Sequence, residues 1–87
     1  METEDFVVFN DLHPKSTTHL LIVPKIHVPT LNEFKPSGKV FELIQQLAGM
    51  LEQPEYKIQV NVGSSGGQEV FHLHFHMVSS FKLKSIA

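Results

Sequence analysis

Residues 72–76 read His-Leu-His-Phe-His, so every second residue of this stretch is a histidine. The alternation continues on both sides and predicts a β-strand over about Val70 to Val78. Successive side chains of a strand point to opposite faces, so the three imidazoles share one face. We therefore expect an open sheet face that carries His72, His74 and His76, and a covered face that carries Phe71, Leu73, Phe75 and Met77.

Three imidazoles on an open face are compatible with more than one kind of chemistry. A neutral imidazole attacks phosphorus well when its second nitrogen donates to a fixed acceptor, because the acceptor holds the tautomer. Histidines two residues apart on a strand can also share a Zn²⁺ ion, although zinc needs further ligands. A polar sheet face that happens to use histidine is the third interpretation. The pattern alone leaves all three open.

A glycine-rich segment precedes the histidines directly. Asn61 ends an alternating stretch, residues 63–67 read Gly-Ser-Ser-Gly-Gly, and Gln68 leads into the histidine strand. Backbone amides in such a turn are not covered by side chains and can bind an anion. Beside three histidines, phosphate binding becomes as good an interpretation of the turn as a simple hairpin loop.

One amphipathic helix is predicted over about Ser37 to Gln53. Its apolar residues recur at helical spacing, Ser37 is a suitable N-cap, and Pro54 cannot continue the helix. Such a stripe is typical of core packing. Its apolar residues are Val40, Phe41, Leu43, Ile44, Leu47, Ala48 and Leu51.

Three further stretches predict strands, namely Phe6 to Phe9, His19 to Val23 and Tyr56 to Val62. In the last of these, Lys57, Gln59 and Asn61 share the polar face. Between the second strand and the helix, Leu31 and Phe34 fit a single helical turn. The order strand, strand, helix, strand, strand predicts an α+β fold. We expect an antiparallel sheet of about four or five strands with the helix on the face opposite the histidines.

Length and composition limit the class of protein. The chain has 87 residues, of which 9 are acidic and 7 basic, so its formal charge is −2 with histidines neutral. That charge provides no basic field for nucleic acid, and no apolar run approaches the ~20 residues of a membrane span. The absence of cysteine and the acidic start favour a cytoplasmic protein. A single domain over residues 1–87 would have a thin core, which favours self-association.

The segment from Asn61 to Val78 resembles the signature of the histidine triad (HIT) superfamily. In that signature apolar residues separate three histidines, two more apolar residues follow, and an asparagine and a glycine–glutamine pair precede them. Residues 9–14, Phe-Asn-Asp-Leu-His-Pro, and residues 18–27, Thr-His-Leu-Leu-Ile-Val-Pro-Lys-Ile-His, resemble the upstream segments of the family. The resemblance runs from about Phe6 to Val78 and is strongest to the nucleotide-binding, phosphoramidase-like branch.

The resemblance implies catalytic roles for four histidines. His74 would be the nucleophile, and His72 would orient it through its backbone carbonyl. His76 would contact the phosphate and offset the charge that develops in the transition state. His19 matches an upstream histidine that approaches the triad. We expect His27 to be structural and His13 to be a solvated loop residue.

The resemblance also implies a substrate-binding set. Asp11 matches the acid that binds the ribose hydroxyls, a role that suits an acceptor-only carboxylate. Without the resemblance, Asp11 is equally compatible with a turn and Gln68 with a turn cap. The phosphate and sugar contacts match Asn61, Gly67, Gln68 and Val70.

The implied activity is hydrolysis or transfer at the α-phosphate of a purine nucleoside phosphoramidate or adenylyl conjugate, through a covalent nucleotidyl-histidine. No cofactor is implied, zinc binding remains an option, and a homodimer with a purine nucleotide as ligand is expected. One alternative is a non-catalytic nucleotide- or zinc-binding interaction module. Another is a dinucleoside polyphosphate hydrolase, for which Lys15, Lys25 and Lys82 are the candidate phosphate contacts.

Two features depart from the family pattern. Glu69 stands where better-known eukaryotic relatives have a serine beside the leaving group, so the donor of the leaving-group proton is open. Relatives of this branch also usually have an N-terminal helix and a strand before the segment that matches Phe6. Those elements contact the base, so the base pocket is the least specified part of the expected site.

Overall fold

A computed structural model describes residues 1–35, 38–52 and 54–80. Its one sheet is four-stranded and antiparallel, in the order β1-β2-β4-β3. This architecture confirms the α+β fold that the sequence predicts. Ser37 and Gln53, at the two ends of the predicted helix, lie outside the described residues. So does Lys82, a candidate phosphate contact. The strands are β1 (Phe6–Asn10), β2 (Thr18–Pro24), β3 (Lys57–Gln59) and β4 (Phe75–Ser79).

The one α-helix among the described residues, α1 (Gly38–Met50), covers one face of the sheet. Val40 and Leu47 of α1 are buried in one apolar cluster with Val8, Ile22 and Met77 of the strands. Phe41 was expected in this stripe but is 60% exposed, because it lies about 100° around the helix axis from Val40. The remaining buried members of the cluster are Phe6, Leu20, Phe34, Leu43, Ile44, Leu51, Leu73 and Phe75.

The helix ends earlier than the sequence predicts. Its last residue is Met50, and Glu52 adopts a left-handed backbone conformation with φ of 53°. The amide of Leu51 still donates to the carbonyl of Leu47, after which the chain turns away. The chain therefore leaves the helix before it reaches Pro54.

Residues 71–74 do not belong to β4, although the sequence predicts a strand from Val70. The amide of Leu73 donates to the carbonyl of Val28, and the carbonyl of His72 accepts from the ring of His74. These backbone groups are therefore used outside the β-ladder, and the strand begins only at Phe75. Phe71, expected on the covered face, is 45% exposed for the same reason.

On the open face of the sheet, two rows of side chains cross β2, β4 and β3. In the register of the sheet, Leu21 and Gln59 lie on either side of His76, and His19 and Lys57 lie on either side of Val78. Like β4, β3 is shorter than the predicted strand, because Asn61 and Val62 have no strand partner once β4 begins at Phe75.

Two short features complete the description. Leu31–Glu33 form a single 3₁₀ turn with Thr30 as its N-cap, which agrees with the helical turn predicted near Leu31 and Phe34. Within the described ranges, no helix has the length and apolar character needed to cross a lipid bilayer.

Candidate active site

The ring of His74 is held by the backbone of His72. His74 Nδ1 lies 2.9 Å from the carbonyl oxygen of His72. A carbonyl oxygen only accepts, so Nδ1 carries the proton and donates it to this bond. In the neutral ring, the lone pair of His74 is then on Nε2, which makes Nε2 the nucleophilic atom.

A second pair of imidazoles connects β2 with β4. His19 Nε2 lies 2.7 Å from His76 Nδ1, and the backbone amide of Lys15 donates to His19 Nδ1 at 3.1 Å. The bond from Lys15 requires a lone pair on Nδ1, so a neutral His19 carries its proton on Nε2 and donates it to His76. His76 is then an acceptor at Nδ1 and, when neutral, carries its own proton on Nε2.

The charge state of His76 agrees with this arrangement. Burial lowers the pKa of His76 below its usual value, and the neighbouring His74 and His19 lower it further. A neutral His76 is the form that can accept from His19, whereas a protonated ring would place two N–H groups against each other. The ring of His76 also packs closely against its neighbours, since its centroid lies 5.0 Å from that of His19 and 5.1 Å from that of His74.

Asp11 lies at the β1 end of the site. Its Oδ2 is 3.5 Å from His19 Nε2, and its Oδ1 accepts from the backbone amide of His13 at 2.9 Å. The bond from His13 is the main cause that lowers the pKa of Asp11. Asp11 is therefore an ionised acceptor, held in place by its own turn.

The side chain of His72 faces away from the reacting histidines. Its Nε2 donates to the carbonyl oxygen of Pro24 at 3.1 Å, so its Nδ1 accepts from Nδ1 of His27 at 3.0 Å. The two rings meet edge to face with centroids 4.7 Å apart. His27 and Pro24 thus anchor the residue whose carbonyl holds His74.

Gln68 organises the glycine turn from inside. It is only 4% exposed; its amide nitrogen donates to the carbonyls of Pro29 and Val70, and its side-chain oxygen accepts from the amide of Gly63. The amides of Gly66, Gly67 and Gln68 all donate within the turn, so they are not the free anion donors that the glycines led us to expect. The turn does not use the amide of Val70.

Gly67 and Asn61 form the wall of the site next to this turn. Gly67 has a φ of 88°, and a Cβ atom there would lie 3.1 Å from Asn61 Nδ2. Asn61 donates to the carbonyl of Gly67 at 3.2 Å and accepts from the side chain of Gln59 at 3.0 Å. Only glycine allows this close approach with this backbone conformation.

One cavity of about 420 Å³ brings most of the predicted site residues together. Of these residues, Asp11, His19, Asn61, Gly67, Val70, His74 and His76 line it, whereas His72 and Gln68 stand behind the lining. The lining also contains residues that were not predicted as catalytic or substrate-binding. Of these, Lys15 was expected only as a phosphate contact of a dinucleoside polyphosphate hydrolase, and Glu69 beside the leaving group. Lys57 and Gln59 could have been predicted, because the alternation over Tyr56 to Val62 places them on one strand face with Asn61. The additional lining residues are Lys15, Ser16, Lys57, Gln59, Glu69 and Val78.

Three residues have the spacing to hold a metal ion. Ligand atoms of Asp11, His19 and His76 lie within 4.8 Å of one another. A histidine that binds a metal usually donates its second nitrogen to an acceptor, but His19 Nδ1 accepts from the amide of Lys15. The hydrogen bonds therefore fit a proton-carrying pair of imidazoles better than a metal centre.

Comparison with known proteins gives matches within one family. A family model described as the HIT domain matches residues 1–83. An uncharacterized HIT-like protein of Helicobacter pylori is 36% identical over 88 residues, which cover 94% of this chain and 83% of that protein. The purine nucleoside phosphoramidase of Escherichia coli is 31% identical over 77 residues, which cover 80% of this chain and 65% of the enzyme.

The fold leads to the same group of proteins. A histidine triad protein from Clostridium difficile superposes with a TM-score of 0.83 at 32% identity, over 100% of this chain and 82% of that one. The chain belongs to the HIT family.

Proposed function

We propose that the protein is a nucleotide-binding hydrolase or transferase that acts on the α-phosphate of purine nucleoside phosphoramidates or adenylyl conjugates. His74 Nε2 forms a bond to phosphorus, and the bond from phosphorus to the leaving nitrogen or oxygen breaks. The leaving group departs with the electron pair of that bond and takes up a proton from solvent water. Water then attacks the nucleotidyl-histidine, which releases the nucleotide and regenerates the neutral ring.

The observation that carries this proposal is the hydrogen bond from His74 Nδ1 to the carbonyl of His72. It leaves Nε2 unprotonated without the need for a separate base, and His74 lines the cavity. His76, with its proton on Nε2, can donate a hydrogen bond to a phosphate oxygen or to the departing atom, which offsets the charge that develops there. His19 fixes that tautomer through the 2.7 Å contact.

The nucleoside would occupy the β1 end of the cavity. Asp11 provides an ionised acceptor for the ribose hydroxyls, and Asn61 and Val70 line the same cavity. Two apolar side chains near Asp11 are open to solvent: Phe9 is 45% exposed and Leu12 is 91% exposed. We assign them to the purine base, because a flat apolar ring gains most from such contacts.

The family also leads us to propose a cytoplasmic homodimer that uses no cofactor. β3 lies at one edge of the sheet, and none of the described residues pairs with its outer side. A second copy could continue the sheet there, which would also cover the edge of a small domain. The reducing cytoplasm fits a chain that contains no cysteine.

The test is turnover of adenosine phosphoramidate by the parent protein and by His74→Ala. We expect the parent to release adenosine monophosphate and His74→Ala to lose at least about a hundredfold in kcat/KM, since the nucleophile is gone. His13→Ala is the matched control, because its imidazole is exposed and its backbone amide, which holds Asp11, remains. It should turn the substrate over at the parent rate.

A different result would support another function. If adenosine monophosphate raises the melting temperature of the parent while no substrate is turned over, the chain is a nucleotide-binding module and the hydrolase proposal is wrong. Equal rates for the parent and His74→Ala would contradict covalent catalysis by His74.

A further inference from the structure

One N–H group of the site faces two acceptors. A neutral His19 carries its proton on Nε2, which lies 2.7 Å from His76 Nδ1 and 3.5 Å from Asp11 Oδ2. The first distance is that of a short hydrogen bond, whereas the second is longer than a normal hydrogen bond but close enough for electrostatic attraction. The proton of His19 is therefore bonded to His76 and attracted at the same time by the carboxylate of Asp11.

Asp11 does not have the position of a carboxylate in a proton relay. In the Ser-His-Asp arrangement, the carboxylate binds one ring nitrogen and the activated group faces the other. In His19 the nitrogen remote from His76 is Nδ1, and it accepts from the amide of Lys15. Asp11 faces the same nitrogen as His76, so the two side chains compete for one proton.

Backbone bonds hold Asp11 beside His19. The amide of Asp11 donates to the carbonyl of His19 at 2.9 Å, and its Oδ1 accepts from the amide of His13. The side chain of His19 is only 2% exposed, so water does not replace either acceptor. The side chain of Asp11 is 21% exposed and lines the cavity, so a ligand can reach the carboxylate.

The competition affects how strongly His76 donates to a phosphate. The amide of Lys15 donates to His19, His19 donates to His76, and Nε2 of His76 can donate to the substrate. Each bond in such a chain polarises the next, so a stronger bond from His19 makes His76 a stronger donor. Burial lowers the pKa of His76, and the charge of Asp11 acts in the opposite direction. The free carboxylate therefore weakens the donor twice, through the proton of His19 and through its own charge.

We propose that the ribose hydroxyls control the donor strength of His76 through Asp11 and His19. Hydroxyls that donate to the carboxylate occupy its lone pairs and reduce its attraction for the proton of His19. That proton is then donated to His76 alone, and His76 donates more strongly to the phosphate. Asp11 and His19 are thus positioning residues that couple binding of a ribonucleoside to transfer at phosphorus. This inference rests on the proposed function and concerns the regulation of the same site.

The first test compares adenosine phosphoramidate with dideoxyadenosine phosphoramidate, which lacks both ribose hydroxyls. Single-turnover rates are extrapolated to saturating protein, so that differences in affinity do not contribute. We expect the parent protein to transfer the ribose compound faster by about threefold to tenfold, the scale of one hydrogen bond. Asp11→Asn keeps the acceptor for the amide of His13 but has no charge that attracts the proton of His19. It should therefore raise the rate of the dideoxy compound above that of the parent and bring the two rates together.

Asp5→Asn is the matched control, because it removes the same charge from a residue that pairs with Lys39 of α1 and does not line the cavity. It should keep the parental difference between the two compounds. Equal saturated rates in the parent would overturn the inference, and so would an Asp11→Asn variant that transfers the dideoxy compound no faster than the parent. In both cases turnover of the ribose compound would still support the proposed function.

A second measurement needs no turnover. The Nε2 proton of His19 is followed by proton NMR and is identified by the loss of its resonance in His19→Gln. We expect adenosine monophosphate to move this resonance further downfield than dideoxyadenosine monophosphate does, because the bond to His76 becomes stronger. Equal positions in the two saturated complexes would overturn the inference alone. If adenosine monophosphate does not bind to the parent, both the inference and the proposed function are wrong.

Discussion

At the scale of single residues, the site is a set of imidazoles whose tautomers are fixed by their neighbours. The carbonyl of His72 fixes His74, the amide of Lys15 fixes His19, and His19 in turn fixes His76. The alternation predicted that His74 and His76 lie side by side, and the family pattern added His19. The alternation also placed the ring of His72 on the same face, which is wrong, because that ring contacts His27 and Pro24. The family pattern also implied the bond from His74 to the carbonyl of His72, but not the tautomers of His19 and His76, since these depend on the amide of Lys15, which only the folded chain brings within reach.

His76 gives the protein a pH-dependent stability. Its pKa is lowered in the folded state, whereas an unfolded chain has the usual value of 6.5. As the pH falls, the unfolded state therefore takes up a proton before the folded state does. The free energy of unfolding then decreases from about pH 6.5 down to the pKa of His76 in the folded state. Above 6.5 both states are neutral at this residue, and its contribution no longer changes.

The measurement is the melting temperature of the parent and of His76→Gln between about pH 7.5 and about pH 5.5. We expect the melting temperature of the parent to fall more than that of His76→Gln as the pH is lowered. His13→Gln, which replaces an exposed imidazole, should show no such trend. A parent–variant difference that is independent of pH would contradict the lowered pKa of His76.

At the scale of elements, apolar periodicity correctly predicted the core strands and the helix, but it wrongly predicted that residues 71–74 belong to the last strand. Their alternation is that of a strand, and Leu73 is indeed buried as the pattern requires. The backbone nevertheless leaves the sheet, because Val28 and the ring of His74 take the hydrogen bonds that a strand partner would need. Periodicity reports which side chains are buried, and not which backbone groups pair.

The same departure from the sheet fixes the tautomer of His74, the proposed nucleophile. A His72 carbonyl committed to a β-ladder would not be available to His74 Nδ1. The bend is held by Leu73 in the core and by the contact of His72 with Pro24 and His27. His27, which the sequence indicated as structural, thus supports the site from behind.

At the scale of the whole molecule, the sheet brings charges from separate elements into one cavity, which the overall charge of −2 does not indicate. The backbone of Lys15 lies on the β2 side of Val78, since its amide binds His19, and Lys57 lies on the β3 side. The sequence indicated Lys15 as a candidate phosphate contact but did not indicate Lys57, since it does not show that β2 and β3 both pair with β4. Sheet order supplies that information.

The free edge at β3 predicts assembly. Pairing of β3 between two copies would extend the sheet, and α1 exposes Phe41 and Met50 at 60% and 50%. Sedimentation velocity should give twice the chain mass of 9.8 kDa, and the melting temperature should rise with protein concentration. A species of one chain mass with a concentration-independent melting temperature would contradict the homodimer.

Covalent catalysis requires that the nucleotidyl group is transferred first to His74 and then to water. The most direct test follows the configuration at phosphorus. A phosphorus-chiral adenosine phosphoramidothioate is hydrolysed in water that carries a heavy oxygen isotope, and the configuration of the released nucleotide is determined. Each in-line displacement inverts phosphorus, so transfer through His74 predicts net retention of configuration in the released nucleotide. Net inversion would mean a single direct attack by water and would contradict the nucleotidyl-histidine.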